Sequence, residues 1–484
     1  MDLWPGDRAR RQSIGDAFLK NMAPGNSARR DEMRSEPRPG DEGSRREFLR
    51  TIEGLSWAGA AAWSGLLGSA AAFGLPSAAV AAEANDSPTS GDRPRKKIAI
   101  VATIWAYLSH GQHMGDRFLV GWPEKGDWHD PQVEVVAVYV DQKPDSDLSE
   151  RRAAKHGFKV YPSIAEALRC GTDRLAVDGV VIIGEHGDYP QTPKGQTMWP
   201  RYEFFQQVVK VFEEEGRGVP VFNDKHLSYS WKNARKMVAD SKRLKFPFLA
   251  GSSIPVTWRL PAVEVPYGEP MRQAMAVGAG DPDGTAFHAL EGLQCMVERR
   301  KGGETGIKSV QMLEGPAVWK AGEDGLWSRR LLQAALSRSD TVHGLVTDGS
   351  LPQELVESGE IQKIVVDPRA YLIERRDGLQ TCLLMLDELL HDFLFAGEMA
   401  DGKIVSTQFY LPPEPNVVYS SRLMAGVERM IVSGEAPYPI ERTELTSCIL
   451  DRCLDSRAAG QRRLDTPELD IAYTVPRDLA YGAP

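Results

Sequence analysis

Six short apolar runs, each followed by a polar or amphipathic segment, recur through one stretch of this chain. The predicted strands cover residues 97–103, 133–140, 159–161, 177–184, 219–222 and 246–250, and the clearest predicted helices cover residues 150–156, 201–215 and 229–244. Strands that are apolar on both faces are buried on both faces, which is typical of a parallel sheet covered by helices. The alternation therefore predicts a doubly wound α/β domain over residues 96–255.

The pattern changes in the remaining residues, 256–484. Longer strand candidates at residues 308–313, 370–374 and 404–410 alternate there with predicted helices at residues 286–299, 328–337, 381–390 and 439–455. Strands joined by turns and flanked by helices are typical of an α+β domain with a mostly antiparallel sheet. We therefore expect this second domain to serve for substrate binding or oligomerisation, in a homo-oligomer.

Polar and charged side chains lie where the predicted strands of the first domain end. Ligands of open α/β sheets bind at the carboxyl ends of the strands, so these residues should share one edge. The histidines, carboxylates and lysine that follow the strands are His110, His113, Asp141, Glu185, His186, Asp188, Asp224, Lys225 and His226.

Asp141, at the end of the second predicted strand, has a direct chemical interpretation. A carboxylate there can accept both ribose hydroxyls of an adenosine, and it repels a 2′-phosphate, which favours NAD over NADP. An ordinary turn residue before Gln142 explains the same position equally well. Both interpretations stay open at the level of sequence.

Lys225 is the candidate acid/base. A lysine at a strand end in a cleft can exchange a proton with a substrate oxygen, and its environment tunes its pKa. The alternative is a solvated lysine that caps the next helix.

The stretch 177–260 resembles the glucose–fructose oxidoreductase/inositol dehydrogenase (Gfo/Idh/MocA-type) family. The strand Val-Asp-Gly-Val-Val-Ile-Ile at residues 177–183 is typical of it, and Asp224-Lys225-His226-Leu227 stands where that family has Glu-Lys-Pro-Leu. Order and spacing agree over most of residues 96–455. The resemblance implies a Rossmann-like domain, an NAD or NADP cofactor, and oxidation of a sugar, polyol or related hydroxyl compound. It matches Lys225 to the catalytic lysine and His288 to an active-site histidine.

The chain departs from this family at the phosphate loop. The family has G-x-G-x-x-G after the first strand, whereas residues 102–107 read Ala-Thr-Ile-Trp-Ala-Tyr, in which Trp105 and Tyr107 would crowd a pyrophosphate. Either Gly111 and Gly115 help a dinucleotide that sits differently, or the cofactor has been lost. The residues predicted to contact a cofactor are Thr103, Trp105, Gly111, Gly115, Asp141, Glu185 and His186.

A second departure concerns the acid that accompanies His288. The family has an aspartate four residues before its histidine, but Gly284 occupies that position and the nearest acid is Asp283. The aspartate is therefore unassigned. His288 and Glu291 lie three apart on one predicted helix face, where they could share a substrate or metal contact. The alternative is that the His288 imidazole has a structural role and makes its hydrogen bonds within the protein.

A different class of function uses the same edge. Its imidazoles and carboxylates are donors that hold Zn²⁺, Mn²⁺ or Fe²⁺. A metal-dependent carbohydrate hydrolase or lyase would need no glycine loop, and a non-catalytic ligand-binding protein is a third possibility. The donors predicted for a metal are His110, His113, His186, Asp188 and His226, with Glu185 and Asp224 beside them.

The N-terminal region has the layout of a twin-arginine export signal. Residues 44–50 read Ser-Arg-Arg-Glu-Phe-Leu-Arg, and an uncharged Ala/Gly/Ser-rich run covers residues 55–82. This run ends in small residues of the kind found at signal-peptide cleavage sites. We expect a leader at 1–82, a linker at 83–95, and recognition by the twin-arginine machinery for export to the periplasm or cell envelope. An uncleaved membrane anchor is the alternative.

Charge and cysteine content exclude other classes. The chain carries a net charge of −9, and residues 1–82 hold 11 basic and 10 acidic residues, so the remainder is near −10. A surface of that sign gives no electrostatic reason to bind nucleic acid or an anionic membrane. Five scattered cysteines without C-x-x-C are typical of buried apolar residues.

Overall fold

The computed structural model describes residues 94–341 and 354–479. The predicted leader and nearly all of the predicted linker lie outside these residues. Within the described part, no helix is both long enough and apolar enough to cross a membrane.

The N-terminal domain is built on one six-stranded sheet, in which every strand pair is parallel. Its strands are β1 (Lys96–Ala102), β4 (Val133–Val140), β5 (Lys159–Val160), β6 (Gly179–Ile183), β7 (Val221–Asp224) and β8 (Phe248–Gly251), in the order β5-β4-β1-β6-β7-β8; β2 (Trp122–Glu124) and β3 (Asp127–His129) form a separate hairpin. Its helices are α1 (His110–Val120), α2 (Ser149–His156), α3 (Ile164–Arg169), α4 (Arg201–Glu215) and α5 (Trp231–Leu244).

The sheet has a switch point between β1 and β6. The chain proceeds from β1 to β4 and β5 on one side, then returns to place β6 on the other side of β1. Residues 98–102 and 179–183 are fully buried, so these two strands are covered on both faces. A ligand crevice in such a sheet opens at the switch point, outside the carboxyl ends of the strands.

The C-terminal domain is built on one eight-stranded sheet. Its strands are β9 (Trp258–Leu260), β10 (Met271–Gly278), β11 (Ile307–Glu314), β12 (Arg369–Arg375), β13 (Gln380–Met385), β14 (Phe393–Met399), β15 (Ile404–Tyr410) and β16 (Leu464–Asp465), in the order β16-β11-β12-β13-β10-β14-β15-β9. Only the β10–β13 pair is parallel. The fold class predicted from the sequence, a doubly wound domain followed by an α+β domain, is confirmed.

The helices of this domain are α6 (Gly284–Val297), α7 (Pro316–Glu323), α8 (Arg329–Leu336), α9 (Glu354–Ser358), α10 (Ile361–Ile364), α11 (Tyr419–Ser433) and α12 (Glu441–Ala458), and a 3₁₀ turn, Ile254–Val256, follows β8. The predicted helix at residues 381–390 is wrong, because residues 380–385 form the central strand β13. A short apolar run suits a buried strand as well as a buried helix, and pairing with both β12 and β10 decides between them.

Two late helices pack back on the first domain, one at the start of β6 and one just beyond the end of β7. In α11, Ile431 packs so closely on Gly179 of β6 that a Cβ there would lie 2.9 Å from its side chain. In α12, the Ser447 hydroxyl accepts the Leu227 amide at 3.0 Å, just beyond β7. The five cysteines are free and four are buried, as the sequence predicted.

Candidate functional site

Three elements bring a histidine and two carboxylates together at the carboxyl edge. His110 is the first residue of α1, Glu185 follows β6, and Asp224 ends β7. His110 Nδ1 lies 2.6 Å from Asp224 Oδ2. One donor atom from each of the three residues lies within 4.8 Å of the other two. The clustering of polar side chains at this edge, predicted from strand order, is therefore what the structure shows.

Lys225 directly follows β7 at this edge and is buried, with 5% of the residue exposed. Its backbone has a φ of 60°, and its amide donates to the Gly251 carbonyl of β8 at 3.1 Å. The ammonium forms an ion pair with Glu185 Oε1, while Arg201 Nη2 donates to Glu185 Oε2 at 2.8 Å. This burial excludes a solvated helix cap.

Glu185 is the counter-ion for these two cations. Its burial by itself would raise the pKa of the carboxyl, but the charges of Lys225, His110 and Arg201 outweigh it and lower the pKa well below its ordinary value. Glu185 is therefore ionised at neutral pH. Thr103, a predicted cofactor contact, instead ties two strand ends together, because its hydroxyl donates to the Glu185 carbonyl at 2.6 Å.

The second domain contributes the start of α6, where the sequence analysis left the role of Asp283 unassigned. Asp283 is buried, and neither of its carboxylate oxygens has a hydrogen-bond partner. His226 Nε2 lies 4.0 Å from Asp283 Oδ1, and a Cβ at Gly284 would lie 3.4 Å from Lys225 Nζ. Burial, together with the charge of Asp281, raises the pKa of Asp283 to about 7. The sequence feature that could have indicated Asp283 is that it is an acidic residue directly before the helix that carries His288.

His288 lies on the same helix, and its partner is Ser252, whose Oγ is 2.5 Å from Nδ1. Burial, with the charge of Lys225, lowers the pKa of His288 well below its ordinary value, so the imidazole is neutral. Glu291 lies deeper, where the Thr446 hydroxyl donates to it at 2.5 Å and burial raises its pKa to about 7. Ser252 stands between His288 and Glu291, because its amide also donates to Glu291 at 3.4 Å.

The segment after β1, together with α1, contains Trp105, Gly111 and Gly115, three residues predicted to contact a cofactor. The Trp105 indole is fully buried in the core and donates to Asp116 at 3.1 Å, so the ring does not face the edge. Gly115 is required because a Cβ there would lie 2.8 Å from that indole. Gly111 is required because a Cβ would lie 2.3 Å from the Ile104 carbonyl oxygen. Both glycines thus serve the packing of α1.

Asp141 stands exposed directly after β4. The hydroxyls of Tyr139 and Tyr189 each donate to one of its oxygens at 2.7 Å. Burial of the ring and the hydrogen bond to Asp141 raise the pKa of Tyr139 to about 12. Next to it, Gln142 exchanges two hydrogen bonds with the backbone of Asp188, at 2.9 Å each.

The donors predicted for a metal divide into two groups. His113 and His186 pack against His110, with ring centroids 4.7 and 5.1 Å from it. His226 lies apart and contacts Arg201 Nη1 at 3.2 Å. The five-residue set therefore does not form one centre, and the group with suitable geometry is His110, Glu185 and Asp224.

Comparison with known proteins gives no match to a family profile and none to a curated protein. Among solved structures, GenD2 from gentamicin A biosynthesis in complex with NAD is 14% identical over 77% of this chain and 97% of its own, with a TM-score of 0.48. A myo-inositol dehydrogenase from Corynebacterium glutamicum is 12% identical over 77% and 98%, with a TM-score of 0.47. A myo-inositol dehydrogenase from Lactobacillus casei, in complex with NAD(H) and myo-inositol, is 11% identical over 80% and 100%, with a TM-score of 0.45. Each of these three solved structures is matched over nearly its whole length.

Proposed function

We propose that this protein is an NAD(P)-dependent oxidoreductase that acts on a hydroxyl group of a sugar, polyol or related compound. The observation that carries the proposal is that the Lys225 ammonium, at the carboxyl end of β7, lies against Gly284 at the start of α6, next to the buried carboxyl of Asp283. A buried lysine and a buried carboxyl from two domains, at a sheet edge suited to ligands, form an acid/base pair.

The residues at the edge fit a dinucleotide at its adenosine end. Asp141 already accepts two hydroxyl groups, one on each oxygen, which is the donor set that a ribose offers. Trp105 does not obstruct the edge, because its indole is buried beneath α1, and Tyr107 is 66% exposed. The start of α1, at His110 and Gly111, would hold the pyrophosphate in place of a glycine-rich loop.

When bound, the nicotinamide ring supplies the chemistry of hydride transfer. The protein's own residues handle the proton. The ammonium of Lys225, which forms an ion pair with Glu185, can donate a proton to a carbonyl oxygen during reduction. Asp283, with a pKa of about 7, can take up a proton in the opposite direction. Two neighbouring groups in different protonation states are the usual arrangement for acid/base work in both directions.

His288 would orient the substrate oxygen. Its neutral imidazole is fixed through Nδ1 by the Ser252 hydroxyl, so its other nitrogen is free to donate or accept toward the substrate. A Ser252→Ala variant should therefore raise KM more than it lowers kcat.

The test is a titration of the purified protein with NADH and NADPH, followed by tryptophan fluorescence, and then turnover with polyols and aldoses. Lys225→Ala should lower turnover by about 10²-fold or more with dinucleotide affinity unchanged. Lys232→Ala, which changes an exposed lysine on α5, is the matched control and should leave turnover unaltered. No binding of either dinucleotide at millimolar concentration would refute the function, and undiminished turnover of Lys225→Ala would refute the role of the lysine.

We also propose that the chain is exported by the twin-arginine route and works in the periplasm or cell envelope as a homo-oligomer. The paired Arg45 and Arg46 ahead of an uncharged run support export. Replacing both arginines by lysine should retain the protein in the cytoplasmic fraction, as measured by cell fractionation and immunoblotting. Export of the double variant at the wild-type level would contradict this route.

A further inference from the structure

His110, Glu185 and Asp224 form a compact set of donors that the proposed proton chemistry uses only in part. One donor atom of each lies within 4.8 Å of the other two. The three residues come from α1, the β6 end and the β7 end, so the backbone of three separate elements fixes their positions. Asp224 is fully buried and Glu185 is nearly so. Buried carboxylates in this arrangement need cations or hydrogen-bond donors to be tolerated.

The set is incompletely satisfied by the protein itself. Asp224 Oδ2 contacts His110, but Asp224 Oδ1 is buried and has no hydrogen-bond partner. His113 Nδ1, on the imidazole that packs against His110, is also buried without a partner. A fully buried carboxylate oxygen without a partner, in a group of three possible ligands, points to a bound species that accepts lone pairs.

We propose that His110, Glu185 and Asp224 bind one divalent transition-metal ion of the Zn²⁺, Mn²⁺ or Fe²⁺ class. One imidazole nitrogen and two carboxylate oxygens are borderline-to-hard donors, which suit these ions better than soft copper(I). The metal takes the place of the hydrogen bond between His110 Nδ1 and Asp224 Oδ2. Small side-chain rotations bring the three donor atoms to bonding distances of about 2.0–2.2 Å.

Two further histidines lie beside the set: the ring centroids of His113 and His186 are 4.7 and 5.1 Å from that of His110. The opposing charges are Lys225 and Arg201 on Glu185. Asp283 offers the ammonium of Lys225 an alternative partner, since both of its oxygens are free and the start of α6 lies against that ammonium.

The test measures metal binding to the purified full-length chain in the absence of nucleotide. After removal of metal by chelation and dialysis, ZnCl₂ and MnCl₂ are titrated by calorimetry, and bound metal is counted by mass spectrometry. We expect one equivalent in the wild type and an affinity at least about tenfold lower in both Asp224→Asn and His110→Gln. CoCl₂ adds a visible absorption band that reports the ligand environment and should be lost in the same two variants.

The matched control is His129→Gln. His129 Nε2 lies 2.6 Å from Glu428 Oε2, so this pair reproduces the His110–Asp224 contact at a place where the described residues form no three-donor group. Its loss should leave metal binding unchanged. Far-ultraviolet circular dichroism shows whether each variant is folded. If a variant is not folded, the stoichiometry of metal binding to the wild type tests the proposal by itself.

Two results would overturn the proposal: no stoichiometric binding of zinc, manganese or cobalt to the wild type, or unchanged affinity in a folded Asp224→Asn variant. The outcome is independent of the proposed oxidoreductase activity. Dinucleotide binding is measured with a chelator present and metal binding without nucleotide, so each can fail alone.

Discussion

Asp283 gives the sharpest quantitative prediction, because it is a buried carboxyl that the fold leaves without hydrogen bonds. Burial, with the charge of Asp281, raises its pKa to about 7, against roughly 3.9 in an unfolded chain. Between these values the native state holds a proton that the unfolded state has lost. The free energy of unfolding therefore falls as the pH rises from about 4 to about 7, which is opposite to the usual effect of an aspartate.

The size of the effect follows from that difference. At 1.36 kcal/mol per pH unit, the charged form of Asp283 destabilises the native state by roughly 4 kcal/mol above pH 7. Asp283→Asn keeps the shape and removes the charge. The variant should match the wild type within about 1 kcal/mol at pH 4 and exceed its stability by up to about 4 kcal/mol at pH 8, while losing turnover.

The measurement is urea denaturation at constant temperature, followed by tryptophan fluorescence, at pH 4, 6 and 8. Asp173→Asn, which removes an exposed carboxylate, is the control and should follow the wild-type profile. Parallel profiles for Asp283→Asn and the wild type would refute the assignment of a raised pKa. A variant that is more stable at pH 8 and fully active would refute the catalytic role instead.

Other buried contacts give predictions of the same kind, each checked by urea denaturation. Glu185→Gln leaves two buried cations without their carboxylate and should cost about 3–5 kcal/mol at pH 7, whereas Glu150→Gln, in an exposed ion pair, should cost less than about 1 kcal/mol. Since the pKa of Glu185 lies well below its ordinary value, its contribution to the free energy of unfolding is present at neutral pH and is lost as the pH falls below about 4. Glu185→Gln should therefore weaken the fall of the free energy of unfolding at acid pH. An unchanged fall would contradict this. Gly115→Ala should cost about 1–3 kcal/mol, because the new Cβ meets the Trp105 ring. Gly426→Ala, also within a helix but 3.7 Å from its nearest neighbour, should stabilise by about 0.5–1 kcal/mol; equal effects at the two glycines would refute the packing argument.

The fold of the first domain was accessible from sequence because its strands are short apolar runs separated by clear helices. The predicted strand 133–140 and helix 201–215 coincide with β4 and α4. The error at residues 381–390 has a physical cause. Leu383, Leu384 and Met385 are all buried, and a continuous apolar run has no period that separates strand from helix. Pairing with distant strands decided the outcome, and such partners are not visible locally.

The site was predictable to the extent that it follows from strand ends. Glu185 and Lys225 were placed at one edge by the rule for parallel sheets, and they meet there. The direction of the Trp105 side chain was not predictable, because a tryptophan after a strand can point into the core or toward the crevice. Asp283 was missed because its role depends on how α6 docks against the first domain.

The sequence by itself determined the two fold classes, the polar carboxyl edge and the position of its lysine, since these depend on local hydrophobic pattern and on chain order. Tertiary structure alone decided the partners: Glu185 for Lys225, Ser252 for His288, and Asp224 for His110. It also decided which carboxyl is left unpaired at the domain boundary. Pairing and burial set the charge of each group, and both arise only when segments far apart in the chain pack together and exclude water.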